Sequence, residues 1–155
     1  MKAVRAVGKD EMAACGRLQE EVEADGRIAA AFLFGSAARG GIRKDSDQDL
    51  AVVFTDDRAR ESLLGDMLGA LGRLGMAAGR DVHLVDLEAA GHILRFQVFR
   101  DGVVLLDRDP GRTADLLERT LIERFDWLPA MAEMDRAMRA RAGSAHDGSV
   151  RGGTR

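Results

Sequence analysis

Gly35-Ser36 and Asp47-Gln48-Asp49, separated by ten residues, are where residue type and spacing together suggest chemistry. An Asp-x-Asp triplet on a strand puts both carboxylates on one face and Gln48 on the other. Two carboxylates held about 4 Å apart repel by roughly 4 kcal/mol at an effective dielectric near 20, unless a proton or a cation lies between them. A hard divalent cation such as Mg²⁺, which takes oxygen ligands, is the natural partner. Gly35, Gly40 and Gly41 stand among Arg39, Arg43 and Lys44 in this stretch, and that mixture lets backbone amides and positive charge approach an anion closely. Taken without the spacing, Gly35-Ser36 reads as an ordinary turn and Asp47 as an Asx-type cap at a strand end. Neither G-x-G-x-x-G nor G-x-x-x-x-G-K-[ST] occurs, which disfavours the Rossmann and P-loop folds.

The elements that must position these residues follow from the apolar pattern. Ile28 to Phe34 leads into the glycine turn and Leu50 to Phe54 leads out of the Asp triplet, giving strand, turn, strand. Ahead of them, Met12, Cys15, Leu18 and Val22 recur at helical spacing from Asp10 to about Ala24, and Asp25-Gly26 ends that helix. Thr55 is the expected N-cap of a crossing helix that carries Leu63, Leu64, Met67, Leu68, Leu71 and Leu74 up to Gly75. A third strand is predicted over 81–86, a helix from Leu87 to about Phe99, and a short fourth strand over 102–106 entered through Asp101-Gly102. Asp109-Pro110 opens a long last helix, 112–141, which Pro129 breaks or kinks. The predicted fold class is α/β (α+β), a small mixed sheet of about four strands covered on one side by helices, with a long C-terminal helical segment. One domain is expected over 1–142, with 143–155 as a polar, glycine-rich disordered tail.

The composition agrees with a single soluble domain: 155 residues, 46% hydrophobic and 32% charged. A net charge of −3 argues against general nucleic-acid binding, and the sparse aromatics offer no stacking platform. Cys15 has no partner for a disulfide and reads as a core residue in a reducing compartment. No apolar run reaches the roughly 18 residues of a membrane span, and there is no apolar signal block, so a cytoplasmic location is expected.

The Gly-Ser pair, the ten-residue spacing, the Asp-x-Asp strand and the order of elements resemble the DNA polymerase β-type nucleotidyltransferase superfamily. Within it they resemble the minimal nucleotidyltransferase branch, the antitoxin partners of HEPN-domain toxins in HEPN/MNT toxin–antitoxin pairs. The resemblance implies the nucleotidyltransferase fold and a Mg²⁺-dependent transferase using ATP, with Asp47 and Asp49 holding two metal ions. It implies that the Gly35 and Ser36 amides and the Ser36 hydroxyl grip the β/γ-phosphates, with Arg39 and Lys44 adding positive charge around them. It further implies transfer of AMP to a tyrosine hydroxyl on a cognate HEPN ribonuclease toxin, with AMPylation silencing the toxin. Two alternatives stand beside this reading. One is an antitoxin with a degraded site that blocks its toxin by stoichiometric contact. The other is nucleotidyl transfer to a small molecule such as an aminoglycoside, for which the residues after the fourth strand are too few and too helical.

The sequence departs from the superfamily at one place. The position expected to carry a third carboxylate on the next strand is His83, and imidazole is a poor ligand for Mg²⁺. Three accounts stay open: Asp81, on the same face, substitutes; His83 acts as general base; or catalysis is weak and the domain acts by binding. Asp86, of opposite parity, reads as a helix cap. His92 reads as a packed or surface residue, and His146 falls in the tail. Met131, Met134 and Met138 recur every three or four residues along the last helix, as plain core or as a face for a partner or another copy.

Overall fold

The computed structural model describes residues 9–35 and 47–147, with side chains from 13 to 35 and from 47 to 139. The elements are α1 (Lys9–Ala24), β1 (Ile28–Phe34), β2 (Gln48–Phe54), α2 (Asp57–Gly65), α3 (Met67–Ala78), β3 (Val82–Asp86), α4 (His92–Asp101), β4 (Val103–Asp107) and α5 (Pro110–Asp147). The strands form a mixed sheet of order β3-β2-β1-β4, with β1 antiparallel to β2 and β4, and β2 parallel to β3. The predicted four-stranded α/β class, with its long C-terminal helix, is the observed one.

Helices cover both faces of the sheet, not one. Leu50, Val52 and Phe54 of β2 pack with Leu18 and Val22 of α1, Leu63 of α2 and Leu74 of α3. Ala51 and Val53 face the other way, toward Leu87, Val98 of α4 and Leu116 of α5. The central strands are apolar on both sides, as strands buried between two layers must be, and a continuous apolar run gives no sign of how many layers lie on it.

Three other expectations are corrected. The crossing helix is two helices, because Asp66 ends α2 by donating its N–H to Ser62 and Leu63 and then begins α3. Its carboxylate lies against Gly69, where an added Cβ would stand 2.4 Å from Oδ1. The cap of α2 is Asp56, whose Oδ1 accepts the Ala59 N–H at 2.7 Å; the Thr55 N–H instead donates to the Arg27 carbonyl. Leu87 opens a turn, not a helix: its N–H still donates to Val52 of β2, and Asp86 Oδ1 accepts the Glu88 and Ala89 N–H groups. Asp86 thus caps this turn and pairs with Arg60 at 2.6 Å, and α4 begins only at His92.

The last helix starts as expected, with Asp109 Oδ1 accepting the Arg112 N–H and Pro110 at the first helical position, where a missing N–H costs nothing. It runs through Pro129 to Asp147, past the expected helix end at 141. A proline removes one hydrogen bond from the ladder, and the remaining bonds carry the helix on. At 38 residues it is about 57 Å long. One face of it is buried through Leu116 and Thr120, meets α4 through the Glu123–Arg95 ion pair and the Trp127–His92 ring contact, and continues as exposed Met131, Met134 and Met138. Cys15 is half-buried against the core, and burial pushes its thiol pKa up. Among the described residues no helix is long and apolar enough to cross a membrane.

Candidate active site

The two central strands bring the Asp triplet next to the glycine turn. In the β1–β2 ladder Leu33 lies opposite Leu50 and Phe34 opposite Asp49, so the chain leaves β1 at Gly35 directly beside the Asp49 carboxylate. Gly35 has φ +77°, in the left-handed region where a side chain is strained. A Cβ built there would lie 2.2 Å from Asp49 Oδ2. Glycine is therefore favoured twice at this position, once by backbone angle and once by the carboxylate, which would have to shift to admit a side chain.

Alternation fixes the rest. Gln48 is buried, and its N–H donates to the Asp81 carbonyl at 2.9 Å, tying the start of β2 to the entry of β3. Asp47 is exposed, and Asp49 is partly buried in the row that continues as Ala51 and Val53 on the α4/α5 side of the sheet. β3 runs parallel, with His83 opposite Asp49 and Leu84 opposite Leu50. The imidazole reaches across: His83 Nδ1 lies 3.3 Å from Asp49 Oδ1, with the His83 side chain 68% and the Asp49 side chain 32% exposed.

Of the residues expected at the site, Gly35, Asp49 and His83 are brought into direct contact, and Asp47 precedes Asp49 at the same strand end. Asp81 is exposed just before β3. Among the described residues no hydrogen bond joins its side chain to Asp47 or Asp49. Ser36, Arg39, Arg43 and Lys44 lie outside the described residues. Sequence reasoning missed the packing of Gly35 on Asp49. The signal for it, a glycine immediately after the strand that pairs with the Asp triplet, is readable only once the register is known.

The donor set suits a divalent cation. Asp47 and Asp49 supply hard oxygens at an open strand end, and His83 adds a borderline nitrogen on the same face. Among the described residues no three His, Cys, Asp or Glu side chains converge on a single point as they stand, so a bound ion would draw them together.

Comparison with known proteins matches the chain to one family model, "Polymerase beta, Nucleotidyltransferase", over residues 17–111, more than half of its length. No curated protein matches. Among solved structures, the chain is similar to one described as a toxin–antitoxin with AMP-PNP, at 24% identity and a TM-score of 0.61, covering 80% of this chain and 98% of that one. It is similar to one described as a tri-AMPylated Shewanella oneidensis HEPN toxin in complex with MNT antitoxin, at 22% identity and a TM-score of 0.57, covering 83% and 98%. A third is described as the toxin–antitoxin MntA–HepT, at 22% identity and a TM-score of 0.55, covering 81% and 97%. At these identities the likeness is one of fold.

Proposed function

The chain belongs to the polymerase β nucleotidyltransferase family, and on that premise we propose that it is an antitoxin that transfers AMP from ATP to a tyrosine hydroxyl of a cognate HEPN ribonuclease toxin. The observation that carries this reading is the placement of Asp47 and Asp49 at the open end of β2, with Gly35 turned against Asp49. In the reaction the tyrosine oxygen bonds to the α-phosphorus, the bridge to the β-phosphate breaks, pyrophosphate leaves and the hydroxyl proton passes to a base. Asp47 and Asp49 would hold divalent metal ions, Mg²⁺ or a similar cation, which when bound neutralise triphosphate charge. Gly35 and Ser36 would meet the β/γ-phosphates through backbone amides, and Arg39 and Lys44 would add positive charge. Asp81 would stand one pleat further out, as a reserve carboxylate for the same face. Proteins of like fold described as bound to AMP-PNP and as partnering an AMPylated toxin support this assignment. A small-molecule acceptor gains no support, because after β4 the described chain is a single helix.

The test is incubation of the protein, a divalent cation and labelled ATP with the toxin encoded beside it. Label on a toxin tyrosine, lost with Asp47→Asn or Asp49→Asn, is expected. The second reading, a stoichiometric binder, is favoured by one observation: the strand position paired with Asp49 carries His83 in place of a carboxylate. Neutralisation of the toxin without label, undiminished in the Asp47→Asn, Asp49→Asn double variant, would establish that reading and exclude the enzyme.

A further inference from the structure

The geometry points to His83 as a nitrogen ligand of the divalent cation held by Asp47 and Asp49, giving the site a preference for Mn²⁺ over Mg²⁺. This rests on the metal-site reading above and adds to it the identity of the third ligand and of the ion.

Three observations carry it. His83 occupies the strand position directly opposite Asp49. Its ring is mostly exposed, and its one polar contact among the described residues is with Asp49 Oδ1 through Nδ1 at 3.3 Å, so it is committed neither to the core nor to another partner. That spacing is a hydrogen-bond distance, and it is also one that two ligands of a common ion span. Donors each about 2.1 Å from a metal lie about 3.0 Å apart along an octahedral edge and about 3.4 Å apart along a tetrahedral one. The present contact falls within that interval, so one ion can join these two groups, with Asp47 drawn in from the same strand end.

The ligand type then decides the ion. Mg²⁺ binds oxygen almost exclusively and gains little from imidazole, whereas first-row divalent ions accept nitrogen and oxygen together. A two-carboxylate, one-imidazole set therefore gives up part of its Mg²⁺ affinity and keeps its Mn²⁺ affinity.

The experiment uses the full chain carrying ¹⁵N-labelled histidine, loaded with MnCl₂ in the presence of AMP-PNP. The label separates histidine nitrogen from the nitrogens of the nucleotide. Pulsed EPR should show ¹⁵N coupling to Mn²⁺ that disappears in His83→Gln. Titration calorimetry should give Mn²⁺ binding tighter than Mg²⁺ binding by about tenfold or more, and His83→Gln should weaken Mn²⁺ binding about 10–100-fold, at least as much as the loss of an outer-sphere partner costs a metal site. His83→Asp should tighten Mg²⁺ binding and abolish the preference. Because His83 is mostly exposed these variants should fold, and circular dichroism checks that they do. Mn²⁺ bound without ¹⁵N coupling, or with unchanged affinity in His83→Gln, overturns the proposal while leaving the carboxylate site standing. Mn²⁺ affinity unchanged in Asp47→Asn and Asp49→Asn overturns the site itself, and the proposal with it.

Discussion

Replacing Gly35 by alanine tests the site through the one position where backbone and carboxylate compete for the same space. The new methyl group would lie 2.2 Å from Asp49 Oδ2, and separations under 3.0 Å essentially never occur, so the carboxylate must retreat by at least 0.8 Å, the difference between the two. On the proposed function Asp49 stands at the reacting centre, where a displacement of about 1 Å costs on the order of 10²-fold in rate. The left-handed backbone adds about 1–2 kcal/mol of strain, which lowers the melting temperature by about 2–8 °C in a protein of this size. Gly79→Ala is the internal control: it has φ +69° with nothing within 4 Å of the added Cβ, so it carries the strain without the collision. Thermal unfolding and cation-dependent transfer are measured on both variants. Similar losses of stability should be seen in the two, with loss of transfer or cation binding in Gly35→Ala alone. Full activity in Gly35→Ala would refute the packing argument, and so would an equal loss of activity in Gly79→Ala.

Other outcomes follow from the same coordinates. Gly102→Ala, at an ordinary φ of −70°, would put its Cβ 2.4 Å from the Val98 carbonyl oxygen, a backbone atom that cannot swing aside, and should destabilise by about 1–3 kcal/mol in denaturant melts. Asp56→Ala removes the side-chain cap of α2 and should cost about 1 kcal/mol by the same measurement. Leu87→Ala empties a fully buried position between β2 and α4 and should cost about 2–5 kcal/mol. The Arg27 guanidinium, hydrogen-bonded to Asp25, holds that carboxyl below its ordinary pKa. Its stabilising contribution is therefore complete above the unfolded value, near 4, and is lost as pH falls through the lowered folded value. Asp25→Asn should flatten the dependence of stability on pH below about 4, and an acid limb as steep as in the unaltered protein would count against the pairing.

Much of this was legible in the residues, and the parts that were not share a cause. β1 appears at its predicted bounds because an unbroken apolar run of seven residues has no other use in a small domain. The contact of His83 with Asp49 follows from strand parity once β3 is known to lie beside β2. What local pattern could not supply was anything that depends on which element packs where. The sheet's second layer of helices is invisible in a run that is apolar throughout. The break at Asp66 rests on its N–H turning to the Ser62 and Leu63 carbonyls, and Leu87 is held out of a helix by a hydrogen bond to Val52 that reaches across strands. Asp56 displaced Thr55 as the cap by one residue, a shift that only the turn leaving β2 decides.

The double burial of β2 has a practical consequence for inactivating the protein. A strand that is apolar on both sides has no polar face to tell it which way up to lie, so its alignment with its neighbours rests on side-chain size and on the few residues that refuse burial. Asp47 and Asp49 are two of those residues, alternating with the buried Gln48. Moved along by one position, the Asp49 carboxylate would turn toward the core, and burying a charge without a partner is costly. The carboxylates are thus alignment marks as well as chemical groups. Asp49→Asn keeps that mark and removes the charge, while Asp49→Leu erases both and permits a slipped strand, so only the first is a clean probe of chemistry.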